Sequence, residues 1–147
     1  MALKIEVSKN VMAAPATVWQ LLDRPTSWKA WWDDCVEAIA VDRKGLKEGS
    51  TIELVLKPSH RRMSFFPVVD LYTENKILSL TCKTAMVDAT LTFLLQPDRD
   101  GCTQLRCQLS YGGVYGVLAR LSGQGHLVRL CHDRCVRGLK RMAERMV

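Results

Sequence analysis

Few side chains in this 147-residue chain have the types and spacing that covalent or metal chemistry needs. Cys131 and Cys135 stand at i and i+4, so on a helix they share a face and form half of a soft-metal site. His132 lies about 100° round that helix, and tetrahedral zinc would need two further ligands. The remaining cysteines, Cys35, Cys82, Cys102 and Cys107, make no C-x-x-C pair. No metal site is expected, and the thiols read as small core hydrophobes. Asp88 and Arg106 fall on neighbouring predicted strands. Pointing outward they make a surface ion pair; turned inward by a bulge they would orient a ligand or serve catalysis. Together with Tyr72 and Tyr111 they form the short set of catalytic candidates. His60-Arg61-Arg62 sits in a predicted loop, either as a site for phosphate or a partner's acid or as solvated charge. No G-x-S-x-G, P-loop or Rossmann fingerprint is present, and no cofactor is implied.

The elements that must position these groups follow from periodicity. Leu3, Ile5 and Val7 alternate with Lys4, Glu6 and Ser8, the pattern of a half-buried strand reaching to about Met12. Pro15 suits the first turn of a helix, whose apolar face is Val18, Trp19 and Leu22 and which Asp23-Arg24-Pro25 stops. A second short helix follows, capped by Thr26 or Ser27. All four tryptophans, Trp19, Trp28, Trp31 and Trp32, lie in these turns and need a large surface to bury against. Six further strands are read at 35–43, 51–57, 62–71, 76–83, 86–96 and 102–111. Their breaks carry turn chemistry, most clearly Glu74-Asn75 and Asp98-Arg99-Asp100-Gly101. Gly112-Gly113 ends the sheet. A helical segment follows, with apolar residues at Leu127, Leu130, Cys131, Cys135, Leu139, Met142 and Met146. Gly123-Gln124-Gly125 either separates a short helix from the main one or hinges a gate. No repeat or linker interrupts the order βααββββββα, so 1–147 reads as a single domain.

Strand parity forecasts the inner face. Ile52, Leu54 and Leu56 point inward from one strand, and Met63, Phe65, Val69 and Leu71 from the next. Leu78, Leu80 and Cys82 follow, then Val87, Ala89, Leu91, Phe93 and Leu95, and finally Thr103, Leu105, Cys107 and Leu109. Glu53, Asp70, Asp88, Arg106 and Gln108 then face solvent. In this register the interior holds almost no ionisable group, which argues against chemistry based on a general acid and base. The polar handles it could offer are Thr103, Ser79, Tyr72, Tyr111 and an indole N–H.

The net charge of +6 concentrates in the last 28 residues, where Asp133 and Glu144 face seven lysines and arginines. This basic helix offers a weak contact to anionic surfaces, or is a solvated face. No aromatic residue interleaves its charges, so nucleic acid is not an expected partner. The N-terminus lacks an apolar leader and no run of 18 apolar residues occurs, so no transmembrane segment is expected and the chain reads as cytoplasmic.

Ala14-Pro15-Ala16-Thr17-Val18-Trp19, the Trp28 to Trp32 cluster, Leu46-Lys47-Glu48-Gly49-Ser50, Gly101-Cys102-Thr103-Gln104-Leu105 and Leu139-Lys140 with Glu144 occur in an order that resembles the START-like (SRPBCC) superfamily. The resemblance spans nearly the whole chain. It implies an α+β helix-grip fold: a seven-stranded antiparallel sheet wrapped around a long C-terminal helix, with two short helices after strand 1. It implies a small hydrophobic ligand, lipid, polyketide or isoprenoid-like, held in an apolar cavity between sheet and helix. Mapped on this chain, Trp28 and Trp32 would close one end of that cavity. Leu54, Met63, Phe65, Val69, Leu80, Ala89, Leu91, Phe93, Leu105 and Cys107 would line it from the strands, and Leu127, Cys131 and Cys135 from the helix. The superfamily also allows a polyketide cyclase or dehydratase, or an interaction module of the Hsp90-activator type. The protein is read as a monomer or homodimer.

Overall fold

Pro15 and Pro67 punctuate the chain at the two places where its architecture is decided. In a computed structural model, residues 3–42, 45–58, 60–84, 87–113 and 125–147 are described. Strand β1 (Leu3–Val11) runs into α1 (Pro15–Leu22), where Pro15 occupies the first helical turn and needs no N–H partner. A 3-10 turn (Pro25–Ser27) and the single turn α2 (Trp28–Trp31) follow. Ser27 does not cap α2 as expected. Its hydroxyl donates instead to the Leu21 and Arg24 carbonyls at 3.0 and 2.7 Å, tying the end of α1 to the turn.

Among the described residues eight strands are formed. After β1 come β2 (Cys35–Ala40), β3 (Ile52–Leu56), β4 (Met63–Phe65), β5 (Val68–Thr73), β6 (Ile77–Lys83), β7 (Asp88–Pro97) and β8 (Thr103–Gly112). The extra strand arises where one was expected over 62–71. Pro67 has no N–H for a ladder, so it splits that stretch, and its carbonyl accepts from the Ile52 N–H at 2.9 Å. The strands form a five-stranded antiparallel sheet, β1-β8-β7-β6-β5, and a three-stranded one, β2-β3-β4. The Gly49 N–H donates to the Val69 carbonyl, the Val69 N–H donates to the Ser50 carbonyl, and a bridge between Thr51 and Val68 completes the join.

The inner faces of β3, β6, β7 and β8 follow the expected alternation. On β5 the expectation fails for Leu71, which is 45% exposed. Val69 pairs with Leu80 and Leu71 with the next residue, Ser79, so Asp70 is an extra residue that inverts the remaining parity. Tyr72 takes the inward place.

Helix α3 (Gly125–Arg145) lies against β1, α1 and α2. The hinge or short helix expected around Val114 to Gln124 lies outside the described residues. The buried stripe of α3 is His132, Cys135, Val136, Gly138, Leu139 and Ala143. It is rotated from the expected one, and Leu130 and Met146 are exposed. The rotation has a local cause: at Gly138 the helix meets the Trp31 backbone so closely that a Cβ would overlap the Trp31 carbonyl oxygen. The C-terminal half of α3 is further pinned to the β1–α1 junction. Met12 N–H donates to Glu144 at 2.9 Å and Lys140 donates to the Asn10 carbonyl at 3.0 Å. Thr103 on β8 fastens the same junction by donating to the Ala13 carbonyl at 2.6 Å. Among the described residues no helix is long and apolar enough to cross a membrane.

Gly138→Ala would gain roughly 1 kcal/mol of helix propensity but force the helix off Trp31. A net loss of about 2 to 3 kcal/mol in urea denaturation is expected, as for overpacked cores. A rise in stability would contradict the close contact.

Candidate functional site

The antiparallel register of β6, β7 and β8 stacks inward side chains in rows. Leu80, Leu91 and Leu109 form one row, and Cys82, Ala89 and Tyr111 the next. These rows line a cavity of about 850 Å³. The small sheet contributes Leu54, Leu56, Met63 and Phe65, and the first half of α3 contributes Leu127, Val128, Cys131, His132 and Cys135. Trp32, at the end of α2, and Val87 complete much of the wall. Arg61 and Arg62, in the loop between β3 and β4, line it too and are exposed, so they mark its rim.

In the opposite direction along the same strands the rows are filled. Leu78, Phe93 and Cys107 stand opposite one another, followed by Leu95 and Leu105, and none is more than 4% exposed. Trp31 sits edge-on to Phe93 at 6.4 Å and stacks on Trp32 at 5.9 Å. Five residues expected along the cavity are therefore in the closed core instead: Trp28, Val69, Phe93, Leu105 and Cys107. They share the inward face but not the hollow end. Trp28 is 1% exposed, its indole N–H given to the Leu22 carbonyl at 3.1 Å.

The four catalytic candidates do not converge. Asp88 is exposed opposite Gly112, whereas Arg106 stands opposite Leu94, six positions further along β7. At about 3.3 Å per residue they are roughly 20 Å apart. Arg106 instead pairs with Glu6 at 2.7 Å on the outer surface, and that contact holds the Glu6 carboxyl below its usual range. Tyr72 donates to Asp23 at 2.6 Å and packs edge-on to Trp19 at 5.2 Å. Burial, then the Asp23 contact, pushes its hydroxyl up to about 12, so it is a neutral phenol bound into the fold. Of the four, Tyr111 lines the cavity.

The interior holds more polarity than strand parity forecast. Asp34, 8% exposed, lines the cavity and receives Arg134, whose Nη2 lies 3.1 Å from both carboxylate oxygens and 3.2 Å from Cys131 Sγ. A carboxylate in such a place is tolerable because its partner is present; removing the arginine would leave a buried charge costing several kcal/mol. Burial and the neighbouring Asp34 raise the Cys131 thiol, and burial holds Cys135 and Cys107 well above the ordinary range. These sulfurs are neutral thiols, poor as nucleophiles. Among the described residues no cluster of three His, Cys, Asp or Glu side chains could hold a metal ion.

His132, which the sequence places off the cysteine face of the helix, is a second buried polar group beside Asp34. Its Nε2 lies 3.0 Å from the Cys107 carbonyl, which can only accept, so Nε2 carries the hydrogen. Burial disfavours the charged ring, leaving a neutral imidazole with its lone pair on Nδ1. The signal for its burial was the spacing of His132 with Val136, Leu139 and Ala143, a stripe that runs beside the more conspicuous cysteines.

A depressed histidine means that the unfolded chain takes up the proton first. Its contribution to stability is complete above 6.5, the ordinary value, and is lost as pH falls below it. Glu144, held low chiefly by the Met12 N–H, acts in a separate window below 4.5. His132→Gln should therefore flatten the fall in urea midpoint just below pH 6.5. Equal slopes for the two proteins in that range would contradict a neutral His132.

No curated protein matches the chain. Solved structures share its fold at low identity. A START superfamily protein from Mycobacterium smegmatis superposes with a TM-score of 0.79 at 14% identity, over 98% of this chain and 99% of that one. The Zhui aromatase/cyclase from Streptomyces sp. R1128 gives 0.77 at 13%, over 99% and 95%. TTHA0849 from Thermus thermophilus gives 0.77 at 14%, over 96% and 97%. A family model described as polyketide cyclase/dehydrase and lipid transport matches residues 2–147. With sequence and fold in agreement, the chain belongs to the polyketide cyclase/dehydrase and lipid-transport family.

Proposed function

We propose that this protein binds and carries a small hydrophobic molecule in the cavity between its sheets and the first half of α3. The observation that carries the reading is the cavity itself: about 850 Å³, walled mainly by leucine, methionine, phenylalanine, tryptophan and cysteine. That volume falls within the range of small-molecule sites, which are mostly apolar with a few placed polar groups. Here those groups are Asp34, Tyr111 and His132. The family's description, which includes lipid transport, supports the same reading. The three buried thiols, Cys35, Cys107 and Cys135, suit a reducing compartment, and we place the protein's action in the cytoplasm.

A cyclase or dehydrase is the second reading, and one observation favours it. His132, kept neutral by burial, is among the residues lining the cavity, and a neutral imidazole is the form that can accept a proton from a bound molecule. Under this reading a bound molecule changes mass or isomeric form on incubation, and His132→Gln stops the change while retaining the molecule.

The carrier reading predicts a retained apolar compound in native mass spectrometry of freshly purified protein. It also predicts stabilisation by about 2.7 kcal/mol when a lipid is present at roughly 100 times its Kd. Ala89→Trp, which fills the hollow from the centre of the sheet, should weaken retention about tenfold or more while leaving the domain folded. Absence of any retained compound, with no thermal shift across a lipid panel, would contradict it.

A further inference from the structure

Several cations of this protein are neutralised where they stand. Arg106 has Glu6 at 2.7 Å, Arg137 has Asp133 at 2.7 Å, and Lys140 has Glu144 at 3.1 Å. Inside the cavity the charges also cancel, because Asp34 is matched by Arg134 and His132 is neutral. Arg61 and Arg62 are among the cations without such a partner, and their position sets them apart. Both line the cavity at its rim, and among the described residues neither has a carboxylate partner. They are held there by the hairpin itself, since Leu56 and Met63, paired across β3 and β4, line the cavity just below them.

An apolar wall beneath two adjacent guanidinium groups is a particular electrostatic arrangement. Low-dielectric walls focus the field at the mouth, and the groups repel each other until an anion lies between or across them. Guanidinium forks bind carboxylate and phosphate oxygens through paired N–H donors. A wholly neutral ligand would use the wall and leave the rim unsatisfied.

We infer that the molecule carried here is an amphipathic anion, with its apolar body in the cavity and its carboxylate or phosphate head on Arg61 and Arg62. This rests on the carrier reading above and specifies its ligand class. The head remains at the solvent edge, so its desolvation cost is small, while the chain beyond it gains burial against Leu54, Met63 and Leu91.

The test is a fluorescence titration with cis-parinaric acid and its methyl ester, which differ in charge and share the chain. The wild-type protein should bind the acid about tenfold more tightly than the ester at low ionic strength. Salt should shrink that preference, and the double variant Arg61→Gln, Arg62→Gln should abolish it by weakening the acid far more than the ester. Lysophosphatidate should displace the acid, and inorganic phosphate alone should not, because the head without the body lacks the cavity's contribution. Equal binding of acid and ester, or a preference that survives in the double variant, would overturn this inference and leave the carrier reading standing. Displacement by inorganic phosphate as effective as by lysophosphatidate would also overturn it, reducing the rim to a plain anion site. Binding of neither acid nor ester would overturn the carrier reading as well.

Discussion

Helix α3 touches the backbone of Trp31 at Gly138, and that contact divides the molecule into a filled end and a hollow one. On the C-terminal side of the contact, Leu139 and Ala143 are fully buried, and hydrogen bonds to Met12 and Asn10 fix the helix to the start of α1. On the N-terminal side Leu127, Val128 and Cys131 border the cavity, while His132 and Cys135, buried against the sheet, reach its edge. One helix cannot fill the inner face of two joined sheets. The tryptophan cluster supplies the missing volume at one end, where Trp28, Trp31 and Trp32 pack within 6.4 Å of one another between ring centroids. Nothing equivalent stands at the other end among the described residues.

The polar groups follow that division. Thr103 and Trp28 are buried at the filled end and give their hydrogens to the Ala13 and Leu22 carbonyls. At the hollow end Asp34 and His132 line the cavity, tied down by Arg134 and by the Cys107 carbonyl respectively. Such partners lower the cost of holding polar atoms in an apolar wall. The arginines at the rim add charge where water still reaches.

Much of this organisation is legible in the residues alone. Alternation identifies the inward faces of β3, β6, β7 and β8, because each has a wet and a dry side, and Pro15, Asn75 and the Asp98 to Gly101 turn mark element ends through backbone preferences. Leu71 escaped because a bulge at Asp70 costs no change in composition; a single extra residue inverts parity without leaving a signature. Phe93, Leu105 and Cys107 escaped for a different reason. Parity says which face a side chain takes, not how far along the strand the core is filled, and that depends on where the helix and the tryptophans come to rest. His132 escaped because the expected apolar stripe ran through Cys131 and Cys135, which put it about 100° aside, whereas the buried stripe is rotated onto it.

The central claim is that ligand enters the hollow end and leaves the filled end untouched. Amide chemical shifts recorded while the methyl ester of cis-parinaric acid is added test it most directly. Perturbations should cluster on Leu80, Ala89, Leu91 and Leu109 and on α3 from Leu127 to Cys135, with Leu78, Phe93 and Leu105 unmoved. Shifts centred on the filled rows, or confined to the outer face of the sheet around Arg106 and Glu6, would contradict it.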